Sequence, residues 1–199
     1  MELDEGLCVT DCERCPRLVD SRSRIVNGVG PADAEIVFVG EAPGADEDEG
    51  GEPFVGRSGT VLDDALRDAG LARADVRITN SVRCRPPENR DPHVDERENC
   101  RGYLAAELAA IDPEIVVALG KVPAENLLER SVAVTDEAGE VYDARLGETS
   151  HRVLVCVHPA ATLYDRSQQD TFESTIQQAA TLAGEGDGDG SGQARLGEW

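Results

Sequence analysis

The sequence predicts an α/β fold: a three-layer α/β/α sandwich around a central, mainly parallel four-stranded sheet. Two observations carry this expectation. Four short runs rich in Val and Ile recur along the chain, and between them lie segments whose apolar residues repeat at helical spacing. The runs are apolar at successive positions and do not alternate with polar residues. That is the pattern of strands covered on both faces, as in parallel sheets joined by helices.

The first strand is expected over Glu35-Ile-Val-Phe-Val-Gly40, where β-branched and aromatic residues suit a pleated surface. A helix follows over Thr60 to Asp68, its apolar face made by Val61, Leu62, Ala65 and Leu66 and its stop by Gly70. Val76 to Asn80 is the second strand, and Asp95 to Ile111 the next helix, with Tyr103, Leu104, Leu108 and Ile111 on one side and Pro113 beyond its end. Glu114 to Leu119 forms the third strand, Lys121 to Arg130 a helix, Arg152 to Val157 the fourth strand, and Thr171 to Leu182 the last helix. A chain of 199 residues suits one domain, here taken as residues 1–183. Residues 184–199, GEGDGDGSGQARLGEW, carry too little apolar surface to offset the entropy of ordering, so a disordered tail ending in a solvated Trp199 is expected.

Forty acidic residues against 19 basic ones give a net charge of −21, and Lys121 is the only lysine. An acid-rich, lysine-poor surface fits a cytosol of very high salt, where the Debye length falls to roughly 3 Å near 1 M and self-repulsion is screened. Halophilic character is therefore expected, and the charge does not exclude a nucleic-acid partner. No run approaches the roughly 18 apolar residues of a membrane span, and the N-terminal Met-Glu-Leu-Asp-Glu is acidic where a secretory signal is basic. The expectation is a cytoplasmic protein with no membrane association.

In an open parallel sheet, ligands bind where the loops diverge from the carboxyl ends of the strands. The first strand delivers Gly40-Glu41-Ala42-Pro43-Gly44 to that edge, the second Asn80, the third Gly120-Lys121 and the fourth His158-Pro159. An acid, an amide and an imidazole at one edge are the makings of a site. The stretch from Gly40 to Gly56, GEAPGADEDEGGEPFVG, adds six carboxylates. Carboxylates at that spacing also suit magnesium, but no GxxxxGK[ST] or strand-to-helix GxGxxG phosphate cradle accompanies them.

Six cysteines in a cytosolic chain read as metal-binding or catalytic, because disulfides are disfavoured there. Cys12-x-x-Cys15 is a knuckle, and Cys84 and Cys100 form a wider pair. Four thiolates suit tetrahedral zinc or an iron–sulfur cluster. A single tight knuckle tilts the choice toward the [4Fe–4S] cluster. Cys8 is either a spare or a replacement ligand, and Cys156, within a strand, reads as a small buried apolar residue.

The ordered set of CxxC, GEAPGxxED, GxPFVG, ITN, CRPPxNR, a cysteine fifteen residues on, and a final HP resembles the family four uracil-DNA glycosylases, the iron–sulfur type of archaea and thermophilic bacteria. It spans about Cys12 to Leu163. The resemblance implies a monofunctional glycosylase that flips deoxyuridine from single- or double-stranded DNA and hydrolyses its N-glycosidic bond in base excision repair. It makes Cys12, Cys15, Cys84 and Cys100 the ligands of a [4Fe–4S] cluster. It sets Gly40, Glu41, Ala42 and Pro43 against the base, Phe54 beneath it, Asn80 on its polar edge, and His158 beside the carbonyl next to the scissile bond. The position of Ala42 often carries a water-activating acid or amide in the wider superfamily, and alanine is neither. Glu41, Glu47 and Asp48 are then the remaining choices, with Glu41 favoured as the pocket-shaping acid and Glu47 as the water-side carboxylate.

Arg83, Arg85 and Arg90, clustered just after Asn80, are the expected contacts to the DNA backbone. A monomer is expected, with replication or repair proteins as further partners. The competing classes are a glycosylase for another deaminated base and a non-catalytic iron–sulfur module that binds DNA or a polymerase, or carries electrons. A branch that bonds covalently to abasic DNA through a histidine in a basic insertion is disfavoured, since no such insertion follows Asn80.

Overall fold

The computed structural model describes residues 2–4 and 7–184. The tail expected over 184–199 lies, from residue 185 on, outside the described residues. The chain starts with two short strands, β1 (Glu2–Asp4) and β2 (Cys8–Asp11), paired antiparallel in a small sheet of their own. The short helix α1 (Pro16–Ser21) follows, with proline in its first turn, where the missing N–H is not needed.

The sandwich begins at β3 (Ile36–Gly40), buried at every position. It continues through α2 (Ala45–Gly50), α3 (Arg57–Asp68), β4 (Arg77–Asn80), α4 (Val94–Ile111), β5 (Ile115–Leu119) and α5 (Lys121–Leu128). A hairpin of β6 (Val141–Leu146) and β7 (Thr149–Cys156), the short helix α6 (Pro159–Thr162) and α7 (Ser167–Gly184) complete it. The main sheet has the order β4-β3-β5-β7-β6. Its first four members are parallel and β6 is antiparallel.

The three-layer sandwich expected from the sequence is present, with five strands where four were expected. The extra strand is an edge strand whose exposed Asp143 and Arg145 alternate with buried Ala144 and Leu146. One sheet face, including Phe38, Ile78, Val117 and Leu154, packs on Leu62, Leu66, Phe172 and Ile176 of α3 and α7. The other face, including Val37, Val39, Val116 and Val155, packs on Leu104, Leu108, Ala124 and Leu127 of α4 and α5. Each strand thus spends alternate side chains on opposite layers, which explains why its sequence is apolar throughout.

Behind β4 lies a fully buried ionic cluster. The Glu107 carboxylate of α4 accepts from Arg77 Nε at 2.9 Å, Arg83 Nη2 at 2.7 Å and Thr79 Oγ1 at 2.9 Å. The outer edge of β4 is covered by the chain before β3: Val29 and Ile78 exchange N–H···O bonds of 2.9 and 2.8 Å. Gly30, at φ +116°, makes this approach feasible, since a Cβ there would stand 2.1 Å from the Val76 carbonyl oxygen.

Candidate active site

A cavity of about 260 Å³ opens at the carboxyl ends of β3, β4 and β7. A larger one, about 420 Å³, lies between α4 and α5, where Arg101 pairs with Glu129 at 3.3 Å, away from the carboxyl ends of the strands. The smaller cavity holds the convergent chemistry. Ligand pockets typically run from about 300 Å³ upward, so it suits a ligand no bigger than a single base.

The cavity is assembled from the ends of neighbouring strands. Gly40 and Asn80 are register partners across β3 and β4. A Cβ on Gly40 would stand 2.3 Å from Asn80 Oδ1 and 2.6 Å from Phe54 Cε2, so glycine lets the amide and the aromatic ring meet over the strand end. Asn80 is 2% exposed and its Nδ2 has no hydrogen-bond partner within the protein. A buried donor left unpaired typically costs about 1–3 kcal/mol, and this one lines the cavity.

Phe54 is buried and adopts φ +55°, a left-handed conformation that is strained for an aromatic residue. Glu47 holds it there: the Phe54 N–H donates to Glu47 Oε1, and the Gly44 N–H donates to Oε2 at 2.6 Å. One carboxylate thus ties the start of α2 to the ring-bearing turn. Burial pushes the Glu47 carboxyl above the usual range, and the two N–H donors oppose that shift. Glu41 is pushed up to about 7, mainly by burial and then by the neighbouring Asp91.

His158 caps α6, its Nδ1 accepting the Ala160 N–H at 3.1 Å. Burial pulls the imidazole down to about 4, so the ring is neutral near pH 7. With Nδ1 acting as acceptor, the ring proton sits on Nε2, a donor for a ligand. The His158 and Phe54 rings lie 5.9 Å apart, tilted by 34°.

The acidic loop does not present its carboxylates to a common point. Asp48, 2% exposed, accepts the Ser23 N–H on both oxygens at 2.9 Å, and Glu47 is engaged as above. Magnesium held by this loop is therefore not the reading the geometry favours.

A third cavity, small at about 20 Å³ and almost entirely apolar, has Cys12, Cys15, Cys84 and Cys100 in its wall. Among the described residues no three His, Cys, Asp or Glu side chains converge on a single metal-ion position; the four thiols stand around the cavity instead. Burial raises the Cys15, Cys84 and Cys100 thiols. Each has a donor beside it that works the other way: Asn99 for Cys15, Arg22 for Cys84 and the Arg83 backbone N–H for Cys100. Four soft ligands, donors that favour thiolate and an apolar wall fit a thiolate-bound cluster. Cys8, on β2, is not in this wall, and Cys156 is fully buried in β7.

A family model described as the uracil DNA glycosylase superfamily matches residues 27–180. The chain belongs to this superfamily. The chain is 42% identical to a type-4 uracil-DNA glycosylase of Archaeoglobus fulgidus, covering 88% of this chain and 90% of the relative. It is 38% identical to the type-4 enzyme of Pyrobaculum aerophilum, over 84% and 87% of the two chains. To a type-5 uracil-DNA glycosylase of the same organism the identity is 32%, over 88% and 91%.

For this uracil DNA glycosylase superfamily member, the structure brings Glu41, Ala42, Pro43, Glu47, Phe54, Asn80, Arg90 and His158 into one cavity wall, with Gly40 directly behind Asn80 and Phe54. Arg85 is half-buried and donates to Asn89 at 2.7 Å; Arg90 is held by both oxygens of Glu96. Arg83 is a correction. It is 1% exposed, bound to Glu107 and Asn27, and directed into the protein, where no DNA phosphate reaches it. Ser58 and Asn89 also line the cavity; Ser58 did not stand out in the sequence, and Asn89 entered only as the N of the CRPPxNR motif, without a role.

Proposed function

We propose that this chain is a uracil-DNA glycosylase that hydrolyses the N-glycosidic bond of a flipped deoxyuridine, releasing uracil and leaving an abasic site. The observation that carries the reading is the unpartnered Asn80 amide, buried in a base-sized cavity between Phe54 and a neutral His158. An extruded base loses a few kcal/mol of stacking and pairing; Phe54 restores stacking. The Asn80 amide donates to uracil O4 and accepts from N3–H. Cytosine offers a donor at position 4 and an acceptor at N3, so it mismatches both ends of the same amide.

As the C1′–N1 bond breaks, its electron pair stays on the uracil while water adds to C1′; the proton that this water loses ends on the departing uracil, which leaves neutral. Negative charge then grows on the uracil O2, where the Nε2–H of His158 is the proposed donor. One such donor is worth roughly 3–4 kcal/mol at the transition state. A neutral imidazole suits this role because it donates without first surrendering charge. Glu47 is the proposed water-side carboxylate: each oxygen keeps a lone pair beyond its backbone bond. Glu41, with Gly40, Ala42 and Pro43, shapes the pocket, and Arg85 and Arg90 meet the DNA backbone.

The thiol cavity is the proposed seat of a [4Fe–4S] cluster held by Cys12, Cys15, Cys84 and Cys100. Four thiols around one apolar cavity, with no three-ligand position for a single metal ion among the described residues, support a polynuclear cluster over one zinc ion. When bound, the cluster ties the N-terminal segment to the loop after β4 and to α4. The remaining expectations are retained as proposals: one domain through residue 183, a monomer in a saline cytosol, and repair proteins as partners.

The test is incubation of the purified, iron-loaded protein in concentrated KCl with end-labelled single- and double-stranded DNA carrying one uracil, followed by alkali. A strand break at uracil that requires alkali, and that is lost in His158→Ala, is the expected result. An intact strand at every salt concentration, with iron present, rejects uracil excision.

A further inference from the structure

The four thiols do not meet equal surroundings. Cys15 faces the neutral amide of Asn99, whose Nδ2 lies 3.4 Å from its sulfur, and Cys100 faces a backbone N–H. The Cys84 sulfur accepts directly from a guanidinium: Arg22 Nη1 donates to its Sγ at 2.9 Å, while Nη2 donates to the Cys12 carbonyl at 2.7 Å. One guanidinium thereby spans the knuckle segment and the loop after β4, which lie 72 residues apart between Cys12 and Cys84.

The position of Arg22 is fixed from both sides. Its own N–H closes α1 onto the Leu18 carbonyl at 2.9 Å, and the next N–H, from Ser23, is taken by buried Asp48. A planar fork reaching two acceptors at once is a task for arginine and not for lysine.

Building on the cluster reading above, we propose that Arg22 is a positioning residue of the thiol cavity, holding Cys84 and the Cys12 segment in one frame and raising the reduction potential of the cluster bound there. The physical reason is charge. A cluster with four thiolates is anionic, its reduced form more so, and a cation hydrogen-bonded to a ligand sulfur in an apolar cavity stabilises the reduced form more.

The experiment compares the iron-loaded wild type with Arg22→Leu, Arg22→Gln and Arg22→Lys. Iron and sulfide content, the midpoint potential from an EPR-monitored redox titration, and the rate of iron release to a chelator are measured on each. Arg22→Leu is expected to lower the reduction equilibrium constant about tenfold, which is about 59 mV for one electron, and to release iron several-fold faster. Arg22→Lys should retain most of the potential while still releasing iron faster. Should the leucine variant fail to hold iron, Arg22→Gln, which keeps a neutral donor, carries the comparison and should show the lowered potential. Potential and release rate unchanged in iron-replete Arg22→Leu overturn the role of Arg22 and leave the cluster standing. A wild type that binds no iron overturns the cluster and, with it, this proposal.

Discussion

Asn80 and His158 make opposite use of burial. Asn80 keeps an N–H without a partner, so its contribution appears only when a base supplies the acceptor; Asn80→Ala should weaken uracil excision by one to two orders of magnitude, consistent with about 1–3 kcal/mol for the lost bonds, with folding retained. Single-turnover assays against circular dichroism check both halves of that statement. His158→Ala should lower the single-turnover rate by roughly 10²–10³. A Cβ at Gly40 would collide with both Asn80 and Phe54, so Gly40→Ala should abolish excision through the pocket alone. The histidine also sets a pH signature. Its folded value is about 4 against an ordinary 6.5, so between those limits the unfolded chain binds the extra proton. The stability linked to it is present above pH 6.5 and is lost as the pH falls toward 4. Urea midpoints across that window should therefore fall less steeply in His158→Gln than in the wild type.

At the scale of elements, β4 is held as much by ions as by its ladder. Glu107→Ala leaves Arg77 and Arg83 buried without their counter-ion, and breaking such a cluster from one side typically costs about 3–5 kcal/mol. The urea midpoint should drop accordingly, while Glu129→Ala, at an exposed pair, should leave it nearly unchanged. Strands β3, β4, β5 and β7 were legible because burial on both faces leaves an unbroken apolar run. Strand β6 was not: half of it faces outward, and its pairing depends on a two-residue turn at Gly147 and Glu148. The same distinction explains the site. Phe54, Asn80 and His158 stand at strand ends or in short motifs that a linear reading finds. Arg83 was misread because its neighbours Arg85 and Arg90 suggest a basic surface, whereas its partner Glu107 is 24 residues away on α4. Nothing local marks Arg22 either, since its partners arrive from two distant segments.

For the whole molecule, a net charge of −21 is a repulsive load that salt relieves. Thermal and urea midpoints should rise as KCl goes from tens of millimolar to molar, and flat midpoints would detach the acidic surface from any adaptation to salt. The gain carries a hazard, because ions that screen repulsion within a molecule also screen it between molecules, and exposed strand edges can then join neighbouring chains. The covered flank of β4 answers that hazard without charge. Val29 occupies the N–H and C=O of Ile78, so the middle of that edge strand has no free backbone pair for a neighbouring chain, at any ionic strength. Protection of this edge in brine thus rests on a short neutral backbone seam between Val29 and Ile78, which salt does not screen as it screens net charge.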